Sequence, residues 1–185
     1  MPAWLQQLTK SLHKTRSQPE SRYFQLATVD SHGAPKCRTV VFRGLVDETA
    51  LSIISDTRSQ KWPELEKASR AEICWYFTKT REQYRFTTHC RRFSASQGGE
   101  FVQQYWCKLS DAGKKQFFWG EPGETRDPSY PLKSHGDFSV PPPHFGVMLF
   151  DVDKVDYLNL RGNPQQREIH TRDDHGSWET HAIIP

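Results

Sequence analysis

The sequence predicts a mainly β fold, a barrel or sandwich of short strands with a few helices around it. Short apolar or alternating segments recur at a spacing of about 8–12 residues along much of the 185-residue chain. Only a few stretches space their apolar residues as a helix does. This combination is typical of antiparallel barrels and sandwiches, and it argues against a parallel α/β sheet.

The first elements are a helix and a series of strands. Residues 3–16 form an amphipathic helix in this prediction, because Trp4, Leu5, Leu8 and Leu12 recur at helical spacing. A strand that contains residues 24–28 follows, and residues 30–33 form a hairpin turn. The other strands of this first block are predicted over residues 37–46, 51–55, 73–77 and 83–88, the last with an extension over 91–94.

Three further helices are predicted inside the chain. The first runs from about residue 59 to 68, with Ser59 at its N-cap, where a hydroxyl accepts a hydrogen bond from the free N–H groups of the first turn. The other two are predicted over residues 97–107 and 110–118, and Ser110 caps the second of them.

A long segment rich in proline and glycine covers residues 120–144, and loops of that length are usually functional or lie at a contact surface. The C-terminal strands are predicted over residues 145–150, 155–160, 167–171 and 178–184. We expect a single domain over residues 1–185. Its parts are an N-terminal helix in 1–20, a helical and loop insertion over 95–145, and C-terminal strands over 145–185.

Composition narrows the classes of protein. A net charge of +3 at pH 7 is too small to argue for nucleic-acid binding. No apolar stretch reaches the roughly 18 residues of a membrane helix, and the N-terminus has no apolar signal region. The four cysteines form no CxxC pair, which indicates reduced thiols in the cytoplasm. Hydrophobic residues make up only 35% of the chain, so we expect extra burial at a subunit interface or around a cofactor.

A group of cations and hydroxyls predicts a phosphate site. Ser55 ends a strand, and Ser59 and Lys61 begin the following helix. Free N–H groups at a helix start attract an anion, and a lysine there neutralises it. Arg38, on an earlier strand, adds a cation suited to bidentate phosphate contact. Because Arg38 and Arg43 are five residues apart, we expect them to face opposite sides of a regular strand. Ordinary surface charges are the alternative.

In order and spacing these residues resemble the pyridoxamine 5′-phosphate oxidase family, and most closely its oxidase-related FMN-binding branch. The resemblance rests on four short features: the run from Arg38 to Arg43, the strand ending at Ser55 and Asp56, Ser59 with Lys61, and Gln83. It is strongest over residues 23–93. It implies an FMN-binding split β-barrel with Greek-key-like features, FMN as the cofactor, and a homodimer with FMN near the subunit interface.

The resemblance also implies roles for individual residues. The residues implied to bind the FMN phosphate are Arg38, Ser59 and Lys61. Those implied to contact the ring or the ribityl chain are Thr39, Val40, Val41, Phe42, Ser55 and Gln83. Arg43 and Arg167 are implied to place positive charge beside the ring, and Gln60 stands where the family has an arginine. The sequence assigns no catalytic residue and no metal ligand.

Two departures from the family bear on the substrate. Leu158 aligns with an aromatic flavin partner of the family. The residues before Arg167, where the family has an Arg-Leu-His substrate clamp, read Asn163-Pro164-Gln165-Gln166. We therefore expect an FMN-dependent oxidoreductase whose substrate is not pyridoxamine phosphate. A flavin-binding module without turnover would need the same binding residues, so this alternative stays open.

A single-stranded nucleic-acid-binding barrel is the alternative from another class. The runs at residues 84–86 and 91–93 combine arginines with aromatic residues, which can stack on bases. The low net charge speaks against this interpretation. We favour a strand whose aromatic residues point inward and whose arginines point outward.

Two other groups of residues allow a choice between ligand binding and packing. Trp106 and Trp119 can cover a planar ligand or pack in the core, and the core is favoured. His170, His175 and His181 match no helical pair or zinc motif, so a polar hairpin turn around residues 173–176 is favoured over a metal site.

Overall fold

The computed structural model describes residues 1–132 and 135–185, and β-strands dominate them. Within these ranges nine strands form one antiparallel sheet. They are β1 Tyr23–Val29, β2 Pro35–Val41, β3 Gly44–Val46, β4 Ala50–Asp56, β5 Arg70–Phe77, β6 Glu82–Ser94, β7 Phe145–Asn159, β8 Gln166–Arg172 and β9 Trp178–Ile183. The mainly β class predicted from the sequence is confirmed.

The sheet runs in the order β2-β1-β5-β6-β7-β4-β3, and β8 and β9 extend it beside β7. The first half of β7 pairs with β4, whereas its second half pairs with β8. The chain leaving β2 turns back towards β4, where the Arg43 N–H donates to the Ser52 carbonyl at 2.8 Å. The sheet therefore curls on itself, and among the described strands β2 pairs only with β1 and remains an edge strand.

Four α-helices lie around the sheet in the described ranges: α1 Ala3–Lys14, α2 Lys61–Lys67, α3 Glu100–Cys107 and α4 Asp111–Lys115. Short 3-10 turns occur at Pro19–Arg22, Ala95–Gln97 and Gln116–Phe118. No described helix has the length and apolar character of a membrane span.

The main core lies inside the curled sheet and is closed by α1. The apolar stripe of α1 buries Trp4 completely, and its indole packs edge-on against Phe86. Trp75 from β5 is also fully buried and stacks on Phe77. Alternation along β5 explains this, since every second residue from Ala71 to Phe77 points inward.

A second, smaller core joins α3 to β7. Its centre is Trp106, which is fully buried and packs edge-on against Phe145 and Phe117. The indole N–H of Trp106 donates to the Phe138 carbonyl at 3.0 Å. Through Phe117 and Phe138, this core holds the segment that follows α4 at two places.

The prediction of one strand over residues 37–46 is wrong. Residues 37–46 form two strands, β2 and β3, because the chain bends between them. The Phe42 N–H donates to the Arg22 carbonyl at 2.8 Å, and Gly44 has a φ of +143°, which few other residues adopt. The break matters for the site, since it changes the direction in which Arg43 points.

The two strands predicted over residues 145–150 and 155–160 are one continuous strand, β7. The polar residues between them suggested a turn. Instead, Asp151 pairs with Arg91 at 2.6 Å and Asp153 contacts His89 at 2.5 Å, both on neighbouring β6. Register shifts at this point, so Asp153 occupies a bulge in the strand.

Helix boundaries also differ from the prediction. Helix α2 begins at Lys61, and Ser59 does not cap it: the Ser59 hydroxyl donates to the Asp56 carbonyl at 2.6 Å. Helix α3 begins only at Glu100, because the two preceding glycines take positive φ angles. The cap predicted at Ser110 is confirmed, but α4 ends early and continues as a 3-10 turn.

The predicted turns and the long loop agree with the structure. The turn at residues 30–33 joins β1 to β2, and the turn at 173–176 joins β8 to β9. Between residues 120 and 144, the described residues form no helix or strand. Two residues of that loop prediction, 133 and 134, lie outside the described ranges.

Candidate functional site

A cavity of about 630 Å³ opens beside β2, β4 and the start of α2, within the size range of small-molecule sites. Eight residues predicted from the sequence line it: Arg38, Thr39, Val40, Val41, Arg43, Ser55, Ser59 and Lys61. The other wall comes from side chains within residues 109–132. The cavity therefore joins the strand residues singled out above to the long loop.

The Lys61 ammonium lies between two hydroxyls on one side of this cavity. Its Nζ donates to Ser55 Oγ at 3.1 Å and to Ser59 Oγ at 3.0 Å. In the described ranges Lys61 forms no ion pair with a carboxylate within 4 Å. Burial, and next the like charge of Arg38, lower the pKa of Lys61. A partly buried cation with a second cation near it is a favourable place for an anion.

Arg38 is held by two buried groups that the sequence analysis missed. Its Nη2 donates to Glu64 Oε2 at 2.8 Å, and its Nη1 donates to the Thr28 hydroxyl. The Thr28 hydroxyl in turn donates to Glu64 Oε2 at 2.6 Å. Thr28 continues the buried alternation of Phe24 and Leu26 on β1, and a polar residue on that inward face is the signal that the sequence offers.

The edge of β2 offers main-chain groups to the cavity. Since β2 pairs only with β1, alternate N–H and C=O groups of Thr39, Val40 and Val41 point away from the sheet. Phe42 differs from them. Its N–H is already bound to Arg22, and its ring packs 4.8 Å from the ring of Trp75, outside the cavity lining.

Three other predicted residues lie away from the cavity. Gln60 lines a separate groove beside the β1–β2 turn. Gln83 on β6 stands opposite Leu158, and Leu158 stands opposite Arg167 on β8. Arg167 is bound by Asp156, at 3.0 Å from Nε and 2.8 Å from Nη2. The single chain does not bring Gln83 and Arg167 to the cavity that contains Lys61.

The expectation that Arg38 and Arg43 face opposite sides is wrong. Both line the same cavity. Strict alternation holds only within a regular strand, and the chain leaves β2 after Val41. The bend at Phe42 turns Arg43 towards the cavity.

The loop wall is tied to the strands by Arg58. This guanidinium binds both carboxylate oxygens of Asp56, at 3.0 and 2.7 Å, and also donates to the Gly120 carbonyl at 3.0 Å. Trp106 packs in the core as predicted, but the core prediction for Trp119 is wrong. Trp119 is 45% exposed and lines the cavity.

Trp62, next to Lys61, packs closely against β7. Its ring covers Gly146, which stands opposite Ser55 in the β4–β7 ladder. A Cβ on Gly146 would lie 2.5 Å from the Trp62 ring. On the other side, the Arg92 guanidinium sits 5.3 Å from the centre of that ring. Glycine at this position therefore lets α2 approach the strands.

The structure does not support a base-stacking surface on β6. Tyr84 and Phe86 are fully buried, while Arg85 between them is partly exposed and pairs with Asp156. The arrangement of inward aromatics and outward arginine predicted for residues 84–86 is confirmed, and it leaves those two rings inaccessible to a base.

Comparisons with known proteins agree on one family. A family profile described as "Pyridoxamine 5'-phosphate oxidase, FMN-binding domain" matches residues 1–94. Pyridoxine/pyridoxamine 5'-phosphate oxidase 2 of Arabidopsis thaliana is 32% identical over 168 residues, which are 86% of this chain and 84% of the relative. The corresponding oxidase of Paraburkholderia phytofirmans is 26% identical over 181 residues, 90% of this chain and 81% of the relative.

Solved structures give the same result for the fold. A pyridoxamine 5'-phosphate oxidase-related, FMN binding protein from Nostoc punctiforme superposes with a TM-score of 0.90 at 39% identity, over 100% of this chain and 98% of that one. PhzG from Burkholderia lata superposes with a TM-score of 0.79 at 17% identity, over 98% and 92% of the two chains. The predicted split β-barrel is confirmed.

Proposed function

Because the chain belongs to the pyridoxamine 5′-phosphate oxidase family of FMN-binding proteins and its cofactor is FMN, we propose that it is an FMN-dependent oxidoreductase. The observation that carries the proposal is the cluster of Arg38, Lys61, Ser55 and Ser59 beside one cavity. When bound, FMN supplies hydride and electron transfer, so the protein has to provide binding, orientation and charge.

The donor set fits the phosphate of FMN. Lys61 contributes an ammonium whose described partners are the hydroxyls of Ser55 and Ser59. Arg38 contributes a guanidinium fixed in place by Glu64. Two cations and two hydroxyls are the groups that recognise a dianionic phosphate. We assign the phosphate to Arg38, Ser59 and Lys61.

The ring is assigned to the β2 edge. The free main-chain groups of alternate residues within Thr39, Val40 and Val41 would hydrogen-bond to the polar edge of the isoalloxazine ring, and Ser55 would contact the ribityl chain. Arg43, on the same cavity, would place positive charge beside the ring. Phe42 keeps an indirect role, because its packing on Trp75 fixes the end of β2.

The positions of Gln83 and Arg167, the remaining residues assigned to the flavin, are the basis for proposing a homodimer. Within one chain, neither of them lines the cavity that contains Val41 and Lys61. If Gln83 and Arg167 touch the same flavin as Val41, they come from a second chain. We therefore propose a homodimer with FMN near the interface. The cytoplasmic location predicted from the sequence stays a prediction.

The substrate is proposed to differ from pyridoxamine phosphate. At the positions of the family's arginine and histidine clamp, residues 163–166 carry uncharged side chains. They form the connection between β7 and β8 and the first residue of β8. Without a cation there, a second phosphate would lack its partner at this position.

Anaerobic reduction of the purified protein tests the proposed activity. We expect about one FMN per chain, a dimer by light scattering, and oxygen uptake near background with pyridoxamine 5′-phosphate. Candidate donors, including pyridoxamine 5′-phosphate and NADPH, are mixed with the protein while the visible flavin band is followed. Anaerobic bleaching of the flavin band by any donor, followed by return of the band when oxygen is admitted, supports an oxidoreductase. A flavin that stays oxidised with every donor favours the binding module, and rapid oxidation of pyridoxamine 5′-phosphate contradicts the altered substrate.

Replacing Gly146 with alanine is expected to weaken both the fold and FMN binding. The new methyl group would push the Trp62 ring away and with it the start of α2, where Lys61 lies. Overpacking of this kind costs about 1–3 kcal/mol of the free energy of unfolding. Urea unfolding and FMN titration measure the two effects. Gly113→Ala is the control for the unfolding measurement alone, because Gly113 lines the cavity but its Cβ would meet only ordinary contacts, the nearest at 3.6 Å, inside a helix. An equal loss of unfolding free energy in the two variants would contradict the close packing of Trp62 on Gly146.

A further inference from the structure

A second groove, of about 390 Å³, lies beside the FMN cavity and is rich in arginine. It runs between the end of α1 and the start of β1. Three arginines line it, Arg16, Arg22 and Arg43, together with the Ser17 hydroxyl and the Tyr23 ring. This groove is not used by the phosphate assignment above, which rests on Arg38 and Lys61.

The backbone brings two of these arginines together. The Phe42 N–H donates to the Arg22 carbonyl at 2.8 Å, and Tyr23 stands opposite Val41 in the β1–β2 ladder. The main chains of Arg22 and Arg43 therefore lie close together. Burial is the main cause that lowers the pKa of Arg43, and the like charge of Arg22 acts in the same direction. Two cations share this groove without a compensating charge.

In the described parts of the chain, no carboxylate lies within 4 Å of the guanidinium groups of Arg16, Arg22 and Arg43. Arg16 contacts the His13 ring at 2.8 Å. Many other arginines are paired with a carboxylate, namely Arg38, Arg58, Arg85, Arg91, Arg92 and Arg167. Glu20, the acidic residue closest to Arg22 in sequence, does not line the groove. Unpaired arginines around a concave surface are arranged to bind an anion from solution.

The groove adjoins the FMN cavity, because Val41 and Arg43 line both. We propose that Arg16, Arg22 and Arg43 bind the anionic group, a carboxylate or a phosphate, of the molecule that reacts with the flavin. The inference rests on the proposed function for the position of the flavin. It places substrate recognition on the segment between α1 and β1 and on the end of β2, away from the clamp position at residues 163–166.

Calorimetry on the FMN-loaded protein tests the groove, with benzoate and phenyl phosphate as separate probes. Loading with FMN keeps the Lys61 cluster out of the measurement. We expect at least one probe to bind, and Arg22→Gln to weaken its binding at least about tenfold, the usual effect of losing one charge-assisted hydrogen bond. The probe that binds more tightly identifies the carboxylate or the phosphate as the natural group.

The matched control is Arg70→Gln, which removes an exposed arginine on β5 outside the groove. It is expected to leave probe affinity unchanged, and FMN content should be the same in both variants. No binding of either probe, or equal affinity in Arg22→Gln and the wild type, would overturn the groove assignment. Failure of the wild type to take up FMN would instead contradict the proposed function. In that case the loss of probe affinity from wild type to Arg22→Gln would still report on the groove, because Arg22 is outside the Lys61 cluster.

Discussion

Replacing Lys61 with alanine is expected to reduce FMN affinity by about 10- to 100-fold, because one charge-assisted hydrogen bond is worth roughly 1.5–3 kcal/mol. The ammonium is already positioned between Ser55 and Ser59, so its loss removes a preformed contact. Titration of the apoprotein with FMN, followed by quenching of flavin fluorescence, measures the change.

Lys67→Ala is the control for this substitution. Lys67 is at the other end of α2, exposed, and donates to the Ser31 carbonyl at 3.1 Å. The two variants remove the same charge from the same helix, so net charge and helix propensity change alike. If Lys67→Ala lost as much affinity as Lys61→Ala, general electrostatic attraction would explain FMN binding, and the assigned phosphate site would be wrong.

Arg38 is the less suitable target for this test. Its guanidinium pairs with the buried carboxylate of Glu64, which also accepts from the Thr28 hydroxyl. Truncating Arg38 leaves Glu64 buried without its cation, and breaking a buried pair in this way destabilises a protein strongly. Loss of FMN in Arg38→Ala would therefore combine a binding effect with a folding effect, whereas Lys61 separates them.

Replacing Trp106 with alanine is expected to lower the free energy of unfolding by about 3–5 kcal/mol, the usual cost of removing a fully buried tryptophan. The indole packs on Phe145 and Phe117 and donates to the Phe138 carbonyl. This core fixes the segment that forms the second wall of the FMN cavity. Urea unfolding of the apoprotein measures the loss.

Trp119 provides the contrast within the same segment. It is exposed and lines the cavity, so Trp119→Ala should change the free energy of unfolding by no more than about 0.5 kcal/mol. Its effect should appear in FMN affinity. A large loss of stability in Trp119→Ala, or a small one in Trp106→Ala, would contradict the division of the two tryptophans between wall and core.

Local patterns in the sequence were sufficient for most of the sheet. In the strand predicted over residues 73–77, Ile73, Trp75 and Phe77 alternate and all three are buried, and the turn predicted over residues 30–33 joins β1 to β2. The single strand β7 could not be foreseen, because Asp151 and Asp153 suggest a turn when read alone. Their partners, Arg91 and His89, belong to another strand, and sequence spacing contains no information about that pairing.

The sequence predicted only part of the site, because spacing along the chain contains no information about contacts between distant segments. Ser55, Ser59 and Lys61 are close in sequence, and Arg38 was added from an earlier strand as a cation suited to phosphate. The loop wall and the groove at Arg22 depend on contacts between segments far apart in the chain. Composition gave one correct signal, the proline- and glycine-rich stretch, but it could not say which side chains of that stretch face the cavity.

A crystal structure of the protein with FMN would show directly where the phosphate binds. We predict that the phosphate oxygens lie within hydrogen-bonding distance of Lys61 Nζ and the Arg38 guanidinium, with Ser59 Oγ as a further partner. A phosphate bound elsewhere, with Lys61 still engaged only by the Ser55 and Ser59 hydroxyls, would contradict it.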